Sequence, residues 1–188
     1  MRPPDGNAYL FDPGALCLEL LVTGGPGEFA RWESLHAPED LTDWLARSRL
    51  HLDSSRVRVS ADDVTAARAL RNAITRMVRG HLREEPHTPE DVGQVNLAAE
   101  HPPLVPRLSD GARSWSLPCD AAQALSTVAR DAVDLFTGGH AHRIRECAAH
   151  DCQLLFVDVS RPGRRRWCSM DRCGNRAKIR ALRERRGS

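Results

Sequence analysis

Arg145 to Arg186 reads RECAAHDCQLLFVDVSRPGRRRWCSMDRCGNRAKIRALRERR. Four of the chain's six cysteines fall in this stretch, spaced as Cys147-x4-Cys152-x15-Cys168-x4-Cys173. Two close pairs on either side of a loop are what a tetrahedral ion asks of a chain: each pair supplies two ligands and the loop folds back to unite them. Four thiolates complete the coordination sphere of zinc, so the expected site is structural and has no open position for a substrate. A Cys-x-x-Cys redox pair is absent. His150, between the first two cysteines, is expected to be an exposed loop residue rather than a ligand. A segment of roughly 40 residues cannot bury enough core to fold alone, so one zinc ion would supply much of its folding energy. On this basis Cys173→Ser is expected to unfold the segment and leave the rest folded.

The loop between the pairs has a hairpin's composition. CQLLFVDVS is strand-like, RPGR is a turn signal, and RRWC is expected to return as the second strand, bringing Cys168 beside Cys152. Pro162 is assigned to the second position of the turn and Gly163 to the third. DRCGNRAKIRALRERR then reads as a helix with Cys173 in its first turn. Trp167, next to Cys168, is expected to shield the metal. Asn175 is expected to shape the backbone at the metal rather than to read a base.

Charge divides the chain at the same place. Residues 1–140 carry 14 Arg against 20 Asp and Glu, while residues 141–188 carry 13 Lys and Arg against 5 Asp and Glu. The overall charge of +2 therefore hides an acidic body and a basic end suited to polyanions. Arg164, Arg165 and Arg166 are consecutive. Arg172, Arg176, Arg180 and Arg183 recur at helical spacing on one face, with Lys178 beside them and Ile179 and Leu182 on the inner side. A short basic helix on a zinc-braced hairpin has the size and charge to enter a major groove. The eight residues Arg164, Arg165, Arg166, Arg172, Arg176, Lys178, Arg180 and Arg183 are the candidate nucleic-acid contacts.

Residues 1–139 read as a mainly helical domain with at most a small β element, and residues 140–188 as the zinc-bearing unit. Pro38, Ser60 and Thr88 begin helices; Ser60 has Asp63 three residues on, a capping-box arrangement. Val64, Ala67, Leu70, Ile74, Met77 and Val78 repeat at helical spacing, as do Leu125, Val128, Ala132, Val133 and Phe136. Asp110-Gly111 suggests a hairpin turn. Leu16–Val22 fits either a buried strand or a short helix, and TGGPGE is expected to be a flexible loop. Cys17 and Cys119 lack partners at ligand spacing and are expected in the core. No stretch reaches the ~20 apolar residues of a membrane helix, and no signal peptide is framed, so the expected location is the cytoplasm.

The quoted stretch resembles the CGNR zinc finger, named for the residues standing here at Cys173, Gly174, Asn175 and Arg176. Paired cysteines, LFVDVS, RRRWCSM and CGNRAK occur in the family's order. The preceding chain resembles the ABATE domain that accompanies this finger, through ALRNAITRM, VNLAAE and ARDAVDLF. It departs at LELLVTGG, where Glu19 and Val22 replace the family's Asp-x-x-Asn-Thr-like pattern. The resemblance implies a bacterial transcription regulator with the finger as its nucleic-acid-binding module. With the cysteine pattern and the basic end, the first expectation is that the finger binds DNA and the helical domain senses a small molecule or a partner. Two other readings follow from the residues: a zinc-stabilised module docking protein or RNA, and an enzyme with a pocket in the N-terminal domain. His-Glu-x-x-His, Gly-x-Ser-x-Gly and P-loop motifs are absent, so no catalytic residue is assigned.

Overall fold

The computed structural model describes residues 11–187; the Gly- and Pro-rich residues 1–10 of the expected N-terminal domain lie outside them. The ambiguous Leu16–Val22 segment is helical: α1 spans Leu16–Leu20 and tightens into a 3-10 turn at Leu21–Thr23. Leu16, Cys17, Leu18 and Leu20 are all buried, and so short an apolar run, broken by Glu19, is what makes strand and helix indistinguishable by periodicity. The helices α2 (Pro38–Arg47), α3 (Ala61–Leu82), α4 (Pro89–Glu100) and α5 (Ala121–Thr137) follow. Their starts carry the expected chemistry. Ser60 Oγ accepts from the Asp63 N–H at 3.2 Å while Asp63 Oδ2 accepts from the Ser60 N–H at 2.8 Å, and Thr88 Oγ1 accepts from the Asp91 N–H.

Three two-stranded sheets join these helices. β1 (Val57–Arg58) pairs in parallel with β4 (Cys119–Asp120), Val57 opposite Cys119. β1 leads into α3 and β4 leads directly into α5, so this small pairing sets the starts of the two longest helices side by side. β2 (Pro106–Ser109) and β3 (Ala112–Trp115) form the expected hairpin, with Asp110 and Gly111 both at positive φ as a type I′ turn requires. β5 (Ile144–Glu146) and β6 (Leu155–Val157) are antiparallel, Arg145 opposite Phe156. The helix α6 (Asn175–Gly187) ends the described chain.

The TGGPGE loop is not free. Gly24 and Gly25 are buried, and the segment continues as a 3-10 helix over Gly27–Trp32. Arg71 of α3 holds it. This side chain is 1% exposed and donates to both carboxylate oxygens of Glu33 at 2.7 Å, and also to Thr23 Oγ1. Burial pushes the Glu33 carboxyl up, but the Arg71 hydrogen bonds and the Leu35 N–H outweigh it and hold it down at about 2.

One apolar cluster runs from Ala15 through α2, α3 and α5, and it includes Ile144, Leu155 and Val157 of β5 and β6. The zinc-finger hairpin therefore shares the core of the helical body. A second, smaller cluster gathers Cys147, Phe156, Cys168 and Cys173, with Phe11, Leu154 and Trp167 packed against it. The two clusters lie on opposite faces of β6, because adjacent strand residues point opposite ways: Leu155 and Val157 inward, Phe156 toward the cysteines.

Candidate metal centre and basic surface

Cys147 and Cys152 lie in the loop between β5 and β6. The Cys147 N–H donates to Leu154 O and the Cys152 N–H to Ala149 O, both at 2.9 Å, so backbone bonds shape this turn. The strand partner of LLFV is therefore Ile144–Glu146, not the expected Arg165–Cys168. That later segment runs back as an irregular chain, tied by the Ala148 N–H to Arg166 O at 2.9 Å. It still brings Cys168 beside Cys152, with the sulfurs 3.7 Å apart. The turn in between is closed by the Gly163 N–H donating to Ser160 O, which places Pro162 third and Gly163 fourth, one position later than expected. Gly163 has the positive φ foreseen for it, +62°.

Cys173 arrives from the other side. Met170–Gly174 form a π-helical turn, closed by the Gly174 N–H donating to Ser169 O, and α6 continues from it. Such turns carry one residue more than an α turn and occur often at functional sites. Cys173 is fully buried and its sulfur lies 3.5 Å from that of Cys168.

All four sulfurs lie within 4.8 Å of one another. A zinc ion with four bonds of about 2.3 Å implies S–S edges of about 3.8 Å, close to the 3.5 and 3.7 Å found. The donor set therefore fits one structural zinc. The electrostatics agree. Hydrogen bonds from Cys152 and Cys168 lower the Cys147 thiol, and the same contacts raise Cys152 and Cys168, because a second thiolate there would face the first. Only a cation at the centre lets all four ionise together. His150 stands outside this group, its side chain 66% exposed. Cys17 and Cys119 are buried in the helical core.

A supporting shell surrounds the sulfurs. The Cys168 N–H donates to Cys147 Sγ at 3.3 Å. Trp167 packs against the cluster, in the shielding role expected of it. Phe156 is fully buried beside the cysteines, with the Arg165 guanidinium 4.2 Å above its ring. Asp158, also fully buried, receives the Ser160 hydroxyl and N–H on one oxygen and the Arg165 N–H on the other. Burial pushes its carboxyl up, but those donors hold it below the usual carboxylate range. Sequence reading passed over Asp158. Its signal is a lone carboxylate inside an apolar run, FVDV, which must find donors if it is buried.

The eight candidate cations divide into distinct environments. Arg165 is folded inward, donating to Trp167 O, Cys168 O and Asp12 O. Arg176 forks onto both oxygens of Asp151 at 2.8 and 3.1 Å and donates to Cys173 Sγ at 3.3 Å. Arg180 reaches His150 Nδ1 at 3.2 Å, and Arg172 is half-buried. The Arg172–Arg176–Arg180 stripe thus begins against the zinc loop. Arg164, Arg166, Lys178 and Arg183 are exposed. Among the described residues Asn175 makes one long contact, 3.5 Å, to Asp171 O. The expectation that Ile179 and Leu182 line an inner side does not hold: they are 50% and 45% exposed, because α6 leaves the body after Ala177. Glu19 receives the Arg49 N–H and Nε–H.

Comparison with known families agrees with this geometry. A family described as ABATE, "Putative stress-induced transcription regulator", matches residues 14–139, and the CGNR zinc finger matches residues 143–186. No curated protein matches the chain at a meaningful level of similarity. Both matched families are of regulator or zinc-finger type rather than enzymes. The ABATE match spans well over half of the chain, and the four cysteines of the finger close on one point: the chain belongs to the ABATE family and carries a CGNR zinc finger.

Proposed function

We propose that this is a cytoplasmic transcription regulator in which residues 140–188 bind DNA and residues 1–139 sense a small molecule or a partner. The observation that carries it is the basic surface left free once the metal centre has taken what it needs. Arg164 and Arg166 are exposed on the turn beside the sulfurs. Lys178, Arg183 and Arg185 are exposed on the part of α6 that projects from the body, and Arg180 is exposed between them beside His150. A helix of this size, anchored at its start and bare beyond it, suits a major groove, and its cations suit phosphates. No helix among the described residues is long and apolar enough to cross a membrane.

The test is zinc-loaded protein against a random-sequence duplex library, followed by salt titration of the selected duplex. Binding should weaken steeply with salt as counterions are released. Failure to retain any duplex at low salt sinks the reading.

One observation favours a second reading. Ile179 and Leu182 are exposed among the cations of α6, a composition that also suits a protein or RNA partner. Tighter binding to structured RNA than to duplex DNA at matched salt decides for that alternative.

A further inference from the structure

A cavity of about 480 Å³ opens between the Pro26–Phe29 segment, the C-terminal half of α3 and the Arg83–Thr88 turn. That is within the size range of small-molecule sites. Its apolar walls include Phe29, Met77 and Pro86, and three arginines line it: Arg76, Arg79 and Arg83. Two of these are committed. Arg76 donates twice to Asp91 Oδ1, at 2.6 and 2.8 Å, and Arg83 Nε donates to Glu85 at 2.9 Å. Arg79 is different. Its bonds to Glu146 Oε1 and Gln153 O are both long, 3.4 Å, and its buried Nε has no partner among the described residues. The Phe29 ring holds the guanidinium in place from 4.4 Å.

Arg79 also stands at a junction. A neighbouring void of about 30 Å³ shares Phe29, Thr75 and Arg79 with the cavity and reaches Gln153–Leu155 of the finger. The two bonds that Arg79 makes across this junction, to Glu146 and Gln153, fall on β5 and on the loop that carries Cys152. A half-buried guanidinium whose hydrogen bonds are both long is a ready partner for a carboxylate, which it would grip with two parallel bonds. Glu28, exposed at the rim, sets itself against a doubly charged ligand.

The geometry points to a binding site for a monoanionic aromatic carboxylic acid, its carboxylate on Arg79 and its ring against Phe29. The site rests on the reading of the helical body as the sensing part. Binding draws Arg79 from Glu146 and Gln153 and so loosens the tie between body and finger.

The experiment is an amide-resolved NMR titration of the full, zinc-loaded chain with naphthoate, using naphthamide and inorganic phosphate as controls and no DNA. Saturable shifts are expected around Gly27, Phe29 and Gly80, and also at Glu146 and Gln153. Naphthamide should bind about tenfold more weakly, since it lacks the charge. Arg79→Met should abolish the difference between the two probes, and Arg79→Lys should restore part of it. Equal affinity for acid and amide in the unsubstituted chain overturns the assignment, and so does the absence of shifts at millimolar probe. Shifts confined to the cavity, with none at Glu146 or Gln153, overturn the link to the finger. A chain that binds duplex but not naphthoate loses this site and keeps its proposed function; the reverse result separates the two the other way.

Discussion

Cys173 and Arg176 stand three residues apart and serve the same sulfur. Cys173→Ser removes one of four ligands, so bound zinc should fall from one ion per chain to near none by metal analysis. Arg176 acts one step out, balancing the negative charge of the sulfurs and gripping Asp151 in the loop that carries Cys152. Groups in this position typically govern metal affinity by about 10–100-fold. Arg176→Ala should therefore weaken zinc in chelator competition by about tenfold or more, and Arg176→Lys should rescue little, since an ammonium cannot fork onto a carboxylate. Unchanged zinc affinity in the alanine variant would return Arg176 to the set of free cations. Glu33 makes a different prediction. Its folded-state carboxyl titrates at about 2, below the ordinary value of 4.5, so the pair contributes stability above pH 4.5 and loses it as pH falls toward 2. Glu33 is only partly buried, so after solvent screening the shift corresponds to on the order of 1–2 kcal/mol. The stability gap between the native chain and Glu33→Gln should be full near neutral pH and shrink over that window. Zinc loss in acid affects both chains alike and cancels. A gap independent of pH refutes the pairing energy.

At the level of elements, the Ser160–Cys168 segment carries two kinds of arginine within three residues. Arg165 closes the segment over Phe156 and ties it to Asp12, whereas Arg164 and Arg166 face solvent. Arg165→Ala should cost about 1–3 kcal/mol of folding stability, read by urea denaturation, through the carbonyl acceptors it leaves behind. Arg164→Ala and Arg166→Ala should leave stability almost unchanged and instead lower duplex affinity, each reducing the salt slope by about 0.9 for every phosphate no longer neutralised. The opposite pattern would exchange their roles. This division was not legible in the run RRR, because three like residues in a row differ only in where the chain turns them. The β5–β6 pairing was hidden for a similar reason. IRE is short and charged, and it pairs only because the Cys147–Cys152 turn folds it onto LFV. By contrast, the helix starts at Ser60 and Thr88 and the Asp110–Gly111 turn were readable, since each depends on bonds within a few residues.

Across the whole molecule, body and finger fold as partners. Ile144, Leu155 and Val157 belong to the main core, and the Val157 N–H donates to Pro13 O at 2.8 Å. Gly14 permits that approach: a Cβ there would sit 2.9 Å from Val157 O, and its φ is +82°. Removal of zinc should therefore not melt the finger alone, as its spacing by itself suggests. Chelation should lower the thermal midpoint of the entire chain in one cooperative transition, because β5 and β6 cannot leave without opening the helical core. A low-temperature step followed by an unshifted helical transition would show the two parts to be independent. The sequence alone determined the metal-ligand set, the charge division and the main helices, for these rest on residue type and spacing over short distances. Tertiary structure alone decided which arginines stay free, that the finger shares the body's core, and that Arg79 stands between a cavity and the finger. Those facts depend on pairings between residues 25 to 153 positions apart, Arg176 with Asp151 and Arg165 with Asp12 among them, and no local pattern encodes them.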